Sequence, residues 1–308
     1  MARGVRVGLV VTQPRRRRGR GGAETPTPAG EAAQRLSLPL LETADVNAPE
    51  CVAQIVALSP RLLVVVAFGQ ILRRAVREAA PLGAVNLHFS LLPRWRGAAP
   101  VQRAVLAGDA ETGVAVQRVA AKLDAGPVLA SASTPIGPRD ATPGLMRRLV
   151  ALGAPLLAET AARILAGEML RETPQDESRV TYAAKIARDD GDLDFAGEDA
   201  AAIDRRVRAF GAAPGCRAVL RRAGASPLEV LVREAVPEEG GGAPGSVLAA
   251  RPDGIVVAAR AGALRITRLL RAGGRDVDAR AFLNGFPVCA GDYFDRPRPS
   301  DNSATSAS

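Results

Sequence analysis

Residues 62–68 read LLVVVAF, and residues 5–11 read VRVGLVV. Both are short, nearly continuous apolar runs rich in valine, the pattern of strands buried on both faces of a parallel sheet. Residues 50–58 and 71–79 fit the 3.6-residue helical period, and a third apolar run, residues 84–87, follows Gly83. Strand, helix and strand in alternation predict an α/β unit.

A helical tract over residues 143–169, broken near residues 153–155, closes this half of the chain. Residues 170–179 are polar and aperiodic and read as a linker. Beyond Thr181 the pattern changes. One amphipathic stretch, residues 199–210, precedes strand-like runs at 218–220, 228–232, 246–248, 255–258 and 264–269, separated by Gly and Pro clusters such as residues 239–244. Short strands with regular turn signals predict a small barrel. The expected organisation is a first domain over 1–169, a linker over 170–187, a second domain over 188–296 and a polar, disordered tail over 297–308.

A length of 308 residues suits two domains, and 47% apolar with 24% charged residues permits a sizeable core. The net charge of +9 favours phosphate-bearing partners, nucleic acid first among them. A plainer reading stands beside it. Lys122 and Lys185 are the only lysines, all other basic residues are Arg, and such a lopsided choice fits a compositional bias equally well. Cys51, Cys216 and Cys289 are few and odd in number, which argues against a disulfide framework and a zinc site. No apolar run approaches the roughly 18 residues of a membrane span, and residues 1–11 lack a signal-peptide pattern. A reduced, soluble, cytoplasmic protein is expected.

The single histidine, His88, lies two residues after Asn86 where a strand is expected to give way to a loop. Ligands of α/β sheets bind at the carboxyl ends of strands, and side chains two apart project to the same side. An amide beside an imidazole can stabilise a developing oxyanion and move a proton near neutral pH. The alternative is a hydrogen-bonded structural histidine. Residues 123–127, LDAGP, put Asp124 in a turn, where a carboxylate either bonds the local backbone or, near a histidine, fixes its tautomer. Spacing alone leaves both readings open.

Residues 86–129, NLHFSLLPRWRGAAPVQRAVLAGDAETGVAVQRVAAKLDAGPVL, closely resemble the folate-dependent formyltransferases, and SLLPRWRGAAP at 90–100 is similar to their methionyl-tRNA branch. VVTQP at 10–14, GRG at 19–21, VVVAFGQIL at 64–72, TYAAKI at 181–186, RAF at 208–210 and FLNG at 282–285 extend the likeness over nearly the whole chain. The resemblance implies a Rossmann-like, mostly parallel sheet followed by an OB-like β-barrel. It implies formyl transfer from 10-formyltetrahydrofolate to the α-amine of methionyl-initiator tRNA in translation initiation, without a metal. Asn86, His88 and Asp124 would be catalytic. Ser90, Leu91, Leu92 and Pro93 would contact tetrahydrofolate. Arg20, matching the arginine of GRG, together with Arg16 and Arg18, would contact the tRNA, for which a guanidinium fork suits backbone phosphate. The barrel would add a basic surface, and the enzyme is expected to be a monomer.

The chain departs from the family at its start, where a first strand, an FAGTP-like loop and a helix are not found and the likeness begins at the second strand. In a doubly wound sheet that first strand is central, so neighbouring strands would lack partners. A start codon assigned too late and a truncated copy are the two explanations. Residues 210–214, FGAAP, also replace an FNPWP-like run. Competing readings are a sugar-nucleotide formyltransferase, a formyltetrahydrofolate hydrolase with the same Asn, His and Asp, and a non-catalytic RNA-binding protein.

Overall fold

A computed structural model describes residues 5–17 and 24–297. The chain divides into two compact units, each assembled from separate segments. The first comprises Met1–Pro100, Thr112–Thr134 and Arg148–Ala183, the second Val101–Glu111, Pro135–Arg147 and Ala184–Ser308. In chain order the elements up to Ala183 are β1 (Val10–Thr12), β2 (Arg16–Arg17), β3 (Glu24–Thr25), α1 (Pro28–Arg35), β4 (Leu40–Glu42), α2 (Pro49–Ala57), β5 (Leu63–Val66), α3 (Arg74–Arg77), β6 (Ala84–His88), β7 (Arg96–Gly97), α4 (Pro100–Ala107), β8 (Glu111–Arg118), β9 (Val128–Pro135), α5 (Thr142–Leu165) and β10 (Tyr182–Ala183).

The sheet of the first unit is mixed rather than mostly parallel. Its strands run in the order β5-β6-β8-β9, with β5 and β6 parallel and β6 and β8 antiparallel. β1 pairs with β4 in a separate parallel pair. Among the described residues no strand pairs with the second side of β1 or of β5. A strand is buried on both faces only where layers cover both, and β5 alternates: Val64 and Val66, on one face, are 48% and 44% exposed, against the expectation of full burial. The inner face still closes. Val46, Ile55 and Val76 are buried together with Leu9, Val11, Leu63 and Phe68 packed against them. Gln13 Nε2 donates to the Phe68 carbonyl at 3.2 Å, linking the chain after β1 to the chain after β5.

Two further expectations are corrected. α5 runs unbroken through Pro155. Proline there forgoes one intrahelical hydrogen bond, while Gly153 lets the helix lie close on the sheet, because a Cβ at this position would come within 2.9 Å of the Leu87 side chain. Residues 170–187 are not a free linker either. Thr173 exchanges backbone hydrogen bonds with Val128, and β10 pairs in parallel with β7, so this segment is fastened to the first unit as far as Ala183.

The second unit adds α6 (Ala200–Phe210), β11 (Cys216–Arg221), β12 (Leu228–Glu238), β13 (Val247–Arg251), β14 (Gly254–Ala258), β15 (Ala263–Arg271), β16 (Val277–Asp278), α7 (Ala279–Gly285) and β17 (Tyr293–Asp295). All the expected strand runs are present, and β12 extends well past its apolar start. The sheet is antiparallel in the order β13-β14-β15-β12-β11-β17, and a bridge from Ser246 to Tyr293 joins its two ends, as a small barrel requires. Leu220, Val230, Val232, Leu264, Ile266 and Phe294 are fully buried inside it. Asp199 and Asp278 cap α6 and α7, each accepting a backbone N–H three residues on.

Candidate active site

β6 carries Asn86 and His88 on one side of the strand, as their spacing requires. Asp124 is brought to them by the turn after β8, and its own φ of +48° is a left-handed conformation that a non-glycine residue adopts at a cost. The three side chains converge. Asn86 Nδ2 donates to Asp124 Oδ1 at 3.4 Å, and His88 Nδ1 lies 3.6 Å from Asp124 Oδ2. The Gly97 backbone N–H donates to Asp124 Oδ2 at 2.9 Å and Gln117 Nε2 to Oδ1 at 3.0 Å, so four groups surround one carboxylate that is only 12% exposed.

The other edge of the imidazole is already engaged. His88 Nε2 lies 2.8 Å from the carbonyl of Trp95, itself at φ +62°. A carbonyl can only accept, so the nitrogen facing it carries a proton. The remaining nitrogen is the one turned toward Asp124. Both contacts at the limit of hydrogen-bond length, Asn86 to Asp124 and His88 to Asp124, leave these groups able to shift toward a bound molecule.

The set lines a cavity of about 440 Å³, within the ordinary range for small-molecule sites. Val65, Phe68 and Leu72 supply apolar side chains to its lining, to which residues 117–121 also contribute. Sequence reading assigns residues 64–72 a strand, the start of a helical pattern and a family likeness; the structure adds that Val65 and residues 67–72 line the cavity. Ser90, Leu91, Leu92 and Pro93 do not line this cavity. Ser90 is fully buried, its hydroxyl spent on the Arg94 carbonyl at 2.6 Å, and Leu91 packs beside Gly113 of β8. Sequence reading missed Gln117, Gln175 and Arg96, all hydrogen-bonded in or next to the set; nothing in their spacing distinguishes them.

Of the arginines expected to meet RNA, Arg16 is exposed on β2, whereas Arg18 and Arg20 lie outside the described residues. The second unit has a cleft of about 460 Å³ lined by Arg188, Arg217, Arg221 and Arg296. Each guanidinium faces a carboxylate: Arg217 with Asp192, Arg221 with Asp295, Arg296 with Asp194, and Arg188 with Glu229 at a looser 3.9 Å. Burial raises the Asp192 carboxyl above its ordinary range even with Arg217 against it. Among the described residues no group of three or more His, Cys, Asp or Glu is arranged to hold a metal, and no helix is long and apolar enough to cross a membrane.

Comparison with known proteins gives this geometry a family. Residues 2–160 match the model described as formyl transferase, and residues 185–287 match formyl transferase, C-terminal domain. The chain is 42% identical over 295 residues to a methionyl-tRNA formyltransferase of Aromatoleum aromaticum, covering 96% of this chain and 91% of that protein. It is 46% identical over 289 residues to one of Halorhodospira halophila, covering 94% and 91%. Among solved structures, HypX from Aquifex aeolicus in complex with tetrahydrofolic acid superposes with a TM-score of 0.60 at 21% identity, over 83% of this chain and 44% of that one, which shows a shared fold. With both domain models matched in order, the chain belongs to the formyl transferase family.

Proposed function

We propose that this chain transfers the formyl group of 10-formyltetrahydrofolate to the α-amino group of methionyl-initiator tRNA. The observation that carries the proposal is the 42–46% identity, over nearly the full chain, to relatives named for that reaction. The site supports it chemically. The apolar residues Val65, Phe68 and Leu72, lining one cavity with the polar Asn86, Gln117 and Asp124, suit a flat, polar-edged bicyclic ring such as a pterin. Bound there, the folate would supply the formyl carbon and the leaving nitrogen.

The chain's own groups then have separable tasks. Asn86 Nδ2, weakly held by Asp124 at 3.4 Å, donates to the formyl oxygen as negative charge builds on it. The imidazole nitrogen of His88 facing Asp124 takes the proton that the attacking amine must shed, and the carboxylate 3.6 Å away stabilises the imidazolium. That proton is returned to the departing folate nitrogen as the new amide forms and the old carbon–nitrogen bond breaks. Trp95's carbonyl keeps the ring from turning. The enzyme is proposed to act as a monomer. Arg16, Arg18 and Arg20 are assigned to tRNA phosphates, with the barrel as a further surface for the tRNA.

The test is a formylation assay with purified protein, 10-formyltetrahydrofolate and charged initiator tRNA, run beside a deoxythymidine-diphosphate amino sugar and glycinamide ribonucleotide. Formyl-methionyl-tRNA is the expected product, with His88→Ala and Asp124→Asn each slowed about 100-fold or more. Formylation of either small amine in preference to the tRNA would overturn the substrate assignment.

A further inference from the structure

Behind Asp124 lies a chain of amides whose direction is fixed from one end. Arg96 is fully buried and its Nε donates to Gln175 Oε1 at 3.0 Å. An arginine has no acceptor, so the oxygen of Gln175 must face it, and the amide nitrogen must face the other way. There Nε2 donates its two protons to the carbonyls of Gly126 at 2.7 Å and Asp124 at 2.9 Å, one of them shared with Gln117 Oε1 at 3.2 Å. With its oxygen so committed, Gln117, 1% exposed, can offer only N–H to Asp124 Oδ1. Reversing either amide would set oxygen against oxygen at one end and N–H against N–H at the other. Amide orientation, ordinarily ambiguous, is here determined by chemistry.

We propose that Gln117 is a positioning residue of the formyl-transfer site, presenting an N–H of fixed polarity to Asp124 through a relay set by Arg96 and Gln175. The inference rests on the function proposed above. Gln175 holds the backbone of the turn on both sides of Ala125, and Gln117 holds one carboxylate oxygen. Gly97 N–H holds the other, which is the oxygen nearest His88. The carboxylate therefore cannot rotate about its last bond without losing donors at both oxygens.

The discriminating variant is Gln117→Glu, equal in shape but with oxygen where the donor stands. A merely space-filling role predicts wild-type behaviour. The relay predicts a fall in kcat of about 10- to 100-fold, the scale of a displaced catalytic group, with KM for both substrates within about two-fold of wild type. It also predicts that the ratio of variant to wild-type rate rises as pH falls, because one shared proton restores a hydrogen bond between the two carboxyls. Gln117→Leu should lose activity without that pH response. A second readout needs no turnover. In 1H–15N spectra of the full chain, the side-chain amide protons of Gln175, identified by their loss in Gln175→Leu, should exchange slowly in wild type and faster in Gln117→Leu. Free exchange in wild type, or wild-type kcat in Gln117→Glu at every pH, would overturn the relay. Slow exchange with no formylation of methionyl-tRNA would keep the relay and remove the proposed reaction.

Discussion

Gly97→Ala isolates how tightly the site depends on a backbone approach. Gly97 sits at φ +121°, and an added Cβ would lie 2.6 Å from the Ala183 carbonyl oxygen, a backbone atom on the paired strand β10. Gly83 is the matched control, with φ +75° and nothing within 4 Å of an added Cβ. Gly83→Ala should therefore cost only the backbone conformation, about 1–2 kcal/mol. Gly97→Ala incurs at least that conformational cost and must also push Ala183 away by roughly 0.8 Å to reach ordinary contact, stretching the Ala98 N–H to Ala183 O bond from 2.8 Å and forfeiting about 1 kcal/mol more. The sum is about 2–3 kcal/mol, or about 5–10 °C in Tm. Activity should diverge further. Gly97 N–H anchors Asp124, and a displacement of that size should slow formyl transfer about 10- to 100-fold, while Gly83→Ala keeps wild-type turnover. Calorimetry and single-turnover formylation measure the two effects. Gly97→Ala with wild-type turnover and the Tm of Gly83→Ala would refute both the clash and the anchoring argument.

Glu177 is held at about 2, below its usual 4.5, by hydrogen bonds from Arg96 and Lys122. A depressed carboxylate contributes stability fully above the unfolded value and loses it as pH falls through the folded one, so the Tm gap between wild type and Glu177→Gln should close between pH 4.5 and 2; a constant gap would count against the pairing. Cys289 is exposed, whereas Cys51 and Cys216 are buried and burial pushes the Cys216 thiol up to about 12. A disulfide reagent should thus titrate one thiol in the native protein and three in denaturant, and Asp292→Asn should accelerate the native reaction by removing the charge that raises Cys289. Arg20→Ala should chiefly raise KM for tRNA and reduce the salt slope of binding by about one, and an unaltered slope would exclude a phosphate contact.

Much of this was legible in residue order. Period two set Asn86 and His88 on one side of a strand, and the valine run at 62–68, the amphipathic stretch of α6 and the Gly-punctuated strands of the barrel form elements close to where they were expected, whereas of residues 5–11 only Val10 and Val11 enter a strand. What spacing could not give was encounter. Asp124 meets His88 only because the turn after β8 folds back, and the likeness of LDAGP to the family, not its periodicity, pointed there. Gln117 and Gln175 carry no periodic signature at all, since their value lies in which atom faces which. Pro155 marks a break by local rule alone, while the close packing of Gly153 on Leu87, which no local pattern shows, accompanies an unbroken helix. Polarity alone does not tell a free linker from a fastened one, and in residues 170–187 Thr173 and Gln175 bind Val128, Arg96 and the Asp124 turn.

The half-paired strand β5 has a colloidal consequence. It presents outward a row of peptide groups that no described strand satisfies, flanked by two exposed valines on a short, uncharged stretch. Such an edge is a template for further strands, and natural sheets ordinarily blunt it with lysine, proline or a bulge, none of which occurs from Leu63 to Val66. Four uncharged residues at such an edge can thus favour association even in a chain of net charge +9. Light scattering at rising protein concentration should be relieved by a single Val64→Lys, far from Asn86, His88 and Asp124 in task if not in sequence.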